Sequence, residues 1–192
     1  LEPEALKETA ERAQGIAKAA PPDLEFMPAL EPQAYPVLDA FRATTAGITP
    51  ESKAKKLLPA FELARQHGVR MAGSFHTETE TVAVANSRGL WGFHRGTTAS
   101  YTNTALTGDS SGWAEGADID VDRVDPASVA RVAIDKALAG RKPRDLAPGR
   151  YPVVLEAPAL LDLTMFLIWS LDAKAAAEGR SFASGKLGER IG

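Results

Sequence analysis

Residues 69 to 106 read VRMAGSFHTETETVAVANSRGLWGFHRGTTASYTNTAL, a stretch rich in threonine, valine and aromatic residues. Its alternating polar and apolar residues, interrupted by glycine, predict four antiparallel strands at 69–75, 79–85, 90–95 and 98–106. Asn86-Ser-Arg-Gly89 supplies a tight turn between the second and third strands, since Asn and Gly tolerate positive φ. A meander is the simplest topology for these strands, and residues 118–124 are candidates for a further strand.

Helices are predicted on both sides of the strands. Residues 2–20 have amphipathic spacing that stops at two prolines. Residues 49–68 begin with a Thr-Pro pair suited to an N-cap and a first turn, and end with glycine. Pro59 predicts that this helix is kinked or divided, because proline lacks the amide that bonds to the carbonyl four residues back. Residues 125–140 begin with an Asp-Pro pair and end with glycine, which predicts a third helix.

The N-terminal quarter of the chain differs in composition from the rest. Residues 21–48 contain five prolines and no sustained period, which predicts either an extended connector on the domain surface or a flexible linker. We therefore expect an N-terminal helix and Pro-rich connector over residues 1–48. The rest, residues 49–192, is expected to form an α+β core with a mainly antiparallel central sheet and flanking helices.

An apolar region follows the predicted sheet. Tyr151–Leu155 predicts a buried strand, and residues 158–178 predict a long helix that ends at Gly179. Residues 159–171 are apolar nearly all round, which predicts burial on several sides. Two interpretations remain open, namely ordinary core packing and contact with a further domain or a partner subunit, and the candidate residues are Leu163, Phe166, Leu167 and Trp169.

Composition excludes several classes of protein. The 192 residues carry a formal charge of −3, which argues against broad nucleic-acid binding. The chain has no cysteine, so disulfides, thiolate nucleophiles and cysteine-based metal sites are excluded. Residues 159–171 are too short to span a bilayer and are interrupted by Asp162, so no membrane span is expected.

Three blocks of sequence carry a resemblance to a known family. They are Ala85-Asn-Ser-Arg-Gly-Leu90, then Asp125-Pro126 followed by Pro148-Gly-Arg-Tyr-Pro-Val-Val-Leu155, then Gly179-Arg-Ser-Phe-Ala-Ser-Gly-Lys-Leu-Gly-Glu189. In this order they resemble the TldD/PmbA family of peptidases, whose members are also called modulators of DNA gyrase. The resemblance implies a fold like the family's N-terminal domain. Because the family's members are longer and this chain begins with Leu1, we expect a fragment that continues into a second domain.

The resemblance also locates the family's metal motif. Metal-binding members carry HExxxH ahead of the third block. The two imidazoles and the glutamate of this motif can hold zinc and activate water. Counting back from that block, the motif positions fall near Thr164, Met165 and Trp169. A hydroxyl, a thioether and an indole do not replace imidazole and carboxylate ligands. The chain therefore resembles the metal-free PmbA or TldE branch, which implies neither catalytic residues nor metal ligands here.

The resemblance implies a noncatalytic subunit of a TldD/TldE-type cytoplasmic metallopeptidase complex that degrades or processes unfolded peptides. Its implied partners are the peptide and a TldD-like subunit that bears HExxxH and the zinc, and a homo-oligomer is left open. Neither a cofactor of its own nor a membrane or nucleic-acid partner is expected. Two alternatives remain open, namely a metallopeptidase whose ligands lie outside this chain and a binding module that modulates DNA gyrase.

Some residues suggest chemistry independently of the family. His76 and His94 lie on neighbouring predicted strands and, with a nearby glutamate, are candidates for a zinc site or are ordinary surface histidines. Trp91 and Phe93 share one face of a strand, which indicates either core packing or contact with an extended peptide. Ser181 lies in a glycine-rich loop, where a tight turn explains it better than a nucleophile without a base.

Overall fold

The computed structural model describes residues 2–24 and 26–190, and its contacts divide the chain into two compact units between Arg144 and Asp145. The expected boundary between residues 48 and 49 stays a prediction. The first unit contains α1 (Pro3–Ala19), α2 (Ala43–Ala46), α3 (Pro50–His67), β1 (Arg70–Ala85), β2 (Trp91–Leu106), β3 (Ser111–Asp118) and α4 (Pro126–Ala139). The second unit contains α5 (Ala157–Ser170) and α6 (Ala173–Ala177).

The three strands form one antiparallel sheet in the order β1-β2-β3, with helices around it, which confirms the α+β class. The prediction of four strands before residue 106 is wrong, because the first pair forms the single strand β1 and the second pair forms β2. Their register runs without a break from Arg70 opposite Leu106 to Ala85 opposite Trp91. The polar residues around Glu78 resemble a loop in sequence, but they are exposed in the ladder, where polarity does not interrupt backbone pairing.

The third strand lies at Ser111–Asp118, so the strand predicted over residues 118–124 is wrong. The carboxylate of Asp118 accepts a hydrogen bond from the backbone N–H of Asp120, at 2.9 Å. Asp120 does the same for Asp122, at 3.1 Å. Aspartates that bind the backbone two residues ahead favour turns over extended pairing.

The core of the first unit lies between the sheet and α4. Small and branched residues fill it: Ala99, Tyr101, Ala105, Ala114, Val121, Val124, Val129, Ala133, Ile134 and Ala137. The contact is so close that a Cβ on Gly112 would lie 2.2 Å from the carbonyl oxygen of Ala133. Glycine at this position therefore allows α4 to pack directly on β3.

Helix α3 begins and ends as the sequence predicts. The side chain of Thr49 accepts a hydrogen bond from the N–H of Ser52 at 3.2 Å, and Gly68 closes the helix in the left-handed region. Pro59 lies inside the helix and does not divide it. Ala60 and Ala64, which follow the proline, are buried, and this packing stabilises the part of the helix beyond it.

The Pro-rich connector packs on the first unit over residues 29–40, as the first of the two interpretations predicted. The side-chain amide of Asn86 donates to the carbonyl of Leu30 at 2.8 Å, and the guanidinium of Arg88 donates to that of Ala29 at 2.8 Å. Further along, the N–H of Thr97 donates to the carbonyl of Ala40 at 2.9 Å. The tip and the middle of the β1–β2 hairpin therefore each hold one end of this segment.

The second unit differs from its prediction in two respects. Residues 151–155 are exposed and form no strand, and the long helix predicted over 158–178 is interrupted after Ser170. The side chain of Asp172 accepts a hydrogen bond from the N–H of Ala175 and begins α6 as its N-cap. No described helix combines the length and the apolar character needed to cross a membrane.

Candidate functional site

Half of the β1–β2 hairpin extends beyond the rest of the sheet. β3 pairs only with residues 99–106 of β2, so the part from Thr79 to Thr97 is a two-stranded ribbon, which we call the distal hairpin. A two-stranded ribbon is marginally stable without further packing. Much of the distal hairpin is nevertheless apolar, so additional contacts are expected there.

Trp91 and Phe93 lie on the distal hairpin and share one face, as their spacing predicts. They are 62% and 60% exposed, so neither side chain belongs to the core of this chain. Their cross-strand neighbours are Ala85 and Ala83, whose methyl groups cover little of an aromatic ring. The contact role expected of the two aromatics stays a prediction.

An open groove of about 740 Å³ lies between the middle of the connector and the distal hairpin. Its walls include Tyr35, Val82, Val84, Trp91, Phe93 and His94. A Cβ at position 92 would lie 3.5 Å from the ring of Tyr35, an ordinary van der Waals distance, so this ring lies beside the strand at Gly92. The guanidinium of Arg95 stacks on the ring of Phe41 at 3.9 Å, which fixes one cation near the end of the groove.

The free edge of β2 borders this groove. The N–H of Asn86 donates to the carbonyl of Leu90, so these two opposite residues form a hydrogen-bonded pair. Along an antiparallel ladder hydrogen-bonded pairs alternate with non-hydrogen-bonded pairs, and Phe93 and Arg95 each belong to a non-hydrogen-bonded pair. Phe93 and Arg95 consequently direct their N–H and C=O groups away from β1. Among the described residues no backbone group pairs with them, although Thr97 on the same edge pairs with Ala40.

The hypothesis that His76 and His94 form a zinc site is wrong. His94 lies opposite Val82, which is six residues beyond His76 on β1. A rise of about 3.3 Å per residue separates the two positions by roughly 20 Å, whereas zinc needs each ligand within about 2 Å. His76 instead lies 3.7 Å from a carboxylate oxygen of Glu78. Residues 2–24 and 26–190 contain no group of three His, Cys, Asp or Glu side chains that could hold a metal ion.

The residues that the resemblance places at the family's metal motif lie on α5. The hydroxyl of Thr164 donates to the carbonyl of Leu160 at 2.8 Å, and the ring of Trp169 packs edge-on against Phe166 at 6.2 Å. Met165 is 43% exposed. The three side chains are therefore a helix-bound hydroxyl, a thioether and an indole, none of which is a usual zinc ligand.

Helix α5 has no buried residue in this chain. The four residues expected to contact a partner are all exposed, by 48% to 73%: Leu163, Phe166, Leu167 and Trp169. An apolar surface of this kind commonly marks a contact with another protein surface. The structure thus makes these side chains accessible, and their role in contact stays a prediction.

The glycine-rich loop that follows α6 is held by its serines. The hydroxyl of Ser181 donates to the carbonyl of Ser170 at 2.9 Å, and the hydroxyl of Ser184 accepts from the N–H of Ser181 at 3.2 Å. Gly185 and Gly188 have φ of 72° and 81°, which favours glycine. The serines thus stabilise a tight loop, as the sequence indicated.

Sequence reasoning missed one wall of the groove. Tyr35, Val82 and Val84 were not predicted as site residues, because periodicity does not show which connector residues return to a hairpin. The only sequence signal was the presence of aromatic and aliphatic side chains between the prolines of a connector.

Two family models match the chain. The central domain of the PmbA/TldA metallopeptidases matches residues 44–141, and their C-terminal domain matches residues 148–192. These matches define the chain as a pair of metallopeptidase-family domains. The chain belongs to the PmbA/TldD family. A comparison with curated protein sequences finds no match.

Solved structures show the same fold. A protein from Thermotoga maritima, named as a modulator of a DNA gyrase, has a TM-score of 0.78 and 21% identity over 85% of this chain and 40% of its own. A protein from Bacteroides thetaiotaomicron with a similar name has a TM-score of 0.81 and 17% identity, covering 100% of this chain and 46% of its own. TldE from Thermococcus kodakarensis has a TM-score of 0.71 and 20% identity, covering 97% and 44%. This chain thus spans less than half the length of each.

Proposed function

We propose that this chain is part of a PmbA/TldE-like, noncatalytic subunit of a two-component cytoplasmic metallopeptidase. In this complex a TldD-like partner holds the zinc, and the two subunits together degrade or process unfolded peptides. The observation that carries the proposal is the identity of the residues at the family's motif positions. Thr164, Met165 and Trp169 replace the two imidazoles and the carboxylate, and the Thr164 hydroxyl already donates to the helix backbone.

The exposed apolar surface of α5 fits contact with a second surface, on a further domain or on a partner subunit. Leu163 and Phe166 are 60% and 68% exposed, which is unusual for side chains of this size on a helix with almost no charge. Association with a second surface would remove this area from water, and that is the main driving force for most protein association.

The distal hairpin supports contact with an extended peptide. Phe93 and Arg95 direct backbone groups that pair with no described residue to the edge of β2, beside a groove of about 740 Å³. Strand addition gives affinity through main-chain hydrogen bonds, with little dependence on the sequence of the peptide. This mode suits a substrate that is recognised because it is unfolded.

The test is cleavage of an unfolded polypeptide by the full-length protein, alone and mixed with an HExxxH-bearing relative, each with and without a chelator. Cleavage only in the mixture, abolished by the chelator, is the expected result. Chelator-sensitive cleavage by the full-length protein alone would contradict the proposal, because the ligands would then lie elsewhere in the same polypeptide.

The names of two structural relatives favour a second function, modulation of DNA gyrase. A direct binding measurement between the full-length protein and purified gyrase separates this function from the first. Saturable binding together with a change in supercoiling rate, and no peptide cleavage in the mixture, would favour it over the peptidase complex.

A further inference from the structure

The groove beside the distal hairpin presents basic side chains and no acidic ones. Among the described residues that line it none is Asp or Glu, whereas His94 and Arg95 both contribute to its wall. The guanidinium of arginine is always charged, so this end of a largely apolar groove has a fixed positive charge. A cleft with charge of one sign favours a ligand with charge of the other sign. The groove therefore suits a peptide that brings an anionic group to Arg95.

The side chain of Arg95 is held in place but keeps its hydrogen-bond donors. The guanidinium carbon lies 3.9 Å from the centre of the Phe41 ring. This contact uses the flat face of the guanidinium, whereas its N–H groups point outward in the plane. Within the part of the chain that the structure describes, no carboxylate pairs with Arg95. Asp39, two residues before Phe41, instead accepts from the guanidinium of Arg42 at 2.7 Å.

The edge of β2 is open only over a short stretch. Beyond this stretch the N–H of Thr97 donates to the carbonyl of Ala40 at 2.9 Å, and β3 takes the rest of the edge. An extended peptide that pairs with Phe93 and Arg95 must therefore end or turn away before Thr97. Phe41 directly follows Ala40, so the guanidinium that stacks on Phe41 lies close to the place where such a peptide stops.

We infer that Arg95 binds the C-terminal carboxylate of an unfolded polypeptide that adds to the edge of β2 as a parallel strand. A parallel strand runs towards Thr97, as β2 does, and its C-terminus reaches the guanidinium. An antiparallel strand that stops there would place its α-ammonium group beside the same cation. A guanidinium can donate two N–H···O bonds to one carboxylate.

This inference rests on the proposed function and adds to it the part of the substrate that is recognised. A C-terminal carboxylate belongs to every polypeptide, so binding it requires no particular sequence. Main-chain pairing along Phe93 and Arg95 has the same property. The two contacts together select for a free, extended C-terminal segment, which a folded protein seldom offers.

The direct test compares forms of one peptide on the native full-length protein. The peptide is labelled at its N-terminus, contains no Asp or Glu, and ends in either a free carboxylate or an amide. Fluorescence anisotropy should show that amidation weakens binding by about tenfold, because a charge-assisted hydrogen-bonded contact is lost. Equal affinity of the two forms would overturn the inference. So would an amidated peptide with one internal Glu that binds as tightly as the free carboxylate, since Arg95 would then bind acidic side chains.

A variant assigns the effect to Arg95. Arg95→Gln should bind the carboxylate form about tenfold more weakly and should no longer distinguish it from the amide. Arg131→Gln makes the same change of net charge at an exposed position of α4, and it should keep the native preference. If Arg95→Gln keeps the preference, another group binds the carboxylate and the inference fails. If this variant does not fold, the comparison of peptides on the native protein decides.

Cleavage assays separate this inference from the proposed function. Both peptide forms are incubated with the mixture of the full-length protein and an HExxxH-bearing relative. Chelator-sensitive cleavage without any preference for the carboxylate form, in binding or in rate, would contradict only the role of Arg95. Carboxylate-dependent binding without cleavage would contradict the peptidase complex while supporting the contact at Arg95.

Discussion

Phe93 of β2 lies directly opposite Ala83 of β1, and its ring remains 60% exposed because the alanine methyl covers little of it. We expect Phe93→Glu in the full-length protein to weaken binding of an unfolded peptide by about tenfold or more, since an exposed aromatic at a contact commonly contributes over 1 kcal/mol. Fluorescence anisotropy with a labelled unfolded peptide measures this. Thr98→Glu, an exposed change elsewhere on β2, is the control. Equal affinity for both variants would remove the distal hairpin from the binding site.

Trp169 should contribute to assembly with the proposed TldD-like subunit. It is 73% exposed on α5, so Trp169→Ser should leave the chain folded and weaken the complex by several-fold or more. Analytical ultracentrifugation of the mixed full-length proteins measures the dissociation constant. Asp162→Asn, which alters the exposed acidic group of α5, serves as the control. An unchanged complex in the Trp169 variant would show that this side of α5 does not contact the partner.

Gly112 should tolerate no side chain. Gly112→Ala places a Cβ 2.2 Å from the carbonyl oxygen of Ala133, a backbone atom of α4, and should lower the free energy of unfolding by about 1–3 kcal/mol or more. Chemical denaturation followed by circular dichroism measures the change. Gly108→Ala has no heavy atom within 4 Å of the new methyl and should change stability little. Similar losses in both variants would show that helix–sheet contact is not the cause.

Arg88 should hold the connector to the hairpin tip. Its guanidinium donates to the carbonyl of Ala29 and pairs with Glu31, so Arg88→Ala should increase hydrogen exchange and proteolytic cleavage within residues 26–38. Mass spectrometry of limited digests locates the cuts. Arg12→Ala removes an ion pair within α1 and should leave this segment as in the native chain. Unchanged cleavage in the Arg88 variant would mean that Asn86 or Thr97 is sufficient to hold it.

Asp125 should make the stability of α4 depend on pH. The Ser128 hydroxyl and the N–H of Ala127 bond to its carboxylate and lower its pKa below the ordinary aspartate value. A lowered folded-state pKa stabilises the fold above the unfolded pKa, and this contribution is lost as pH falls through the folded value. Asp125→Ala should therefore cost about 1 kcal/mol near neutral pH and progressively less below about pH 4.

Asp125→Asn is the matched variant for this prediction. Asparagine also caps helices but does not titrate, so its stability relative to Asp125→Ala should not fall with acid. Thermal unfolding of all three proteins between pH 2 and pH 7 compares them. A native-to-alanine difference that stays constant over this range would show that the Asp125 carboxylate is not the titrating cap.

The sequence predicted local structure well where side chains act on their own backbone. Thr49 and Asp125 begin helices as N-caps, and Gly68 ends one, because these interactions are complete within a few residues. The antiparallel sheet followed from alternation and from the turn at residues 86–89. The lengths of the strands did not follow from the sequence. The ladder continues through Glu78 because backbone hydrogen bonds to the neighbouring strand hold it, whatever the alternation of polar and apolar side chains.

The candidate site was predicted only in part, because residue spacing shows which side chains share a face but not which distant segments lie beside them. Spacing placed Trp91 and Phe93 on one face, but it could not show that β3 ends before reaching them and leaves them exposed. The separation of His76 from His94 likewise depends on register, which residue spacing across a turn does not determine. The groove wall formed by Tyr35 depends on the path of a connector without periodicity.

By itself the sequence determined the helix caps, the antiparallel class and the family, because each is a matter of residue type and order. Only the tertiary structure decided the strand lengths, the exposure of the distal hairpin and the groove. These depend on which distant segments meet, and the register of backbone hydrogen bonds and the close packing of α4 on β3 fix those meetings.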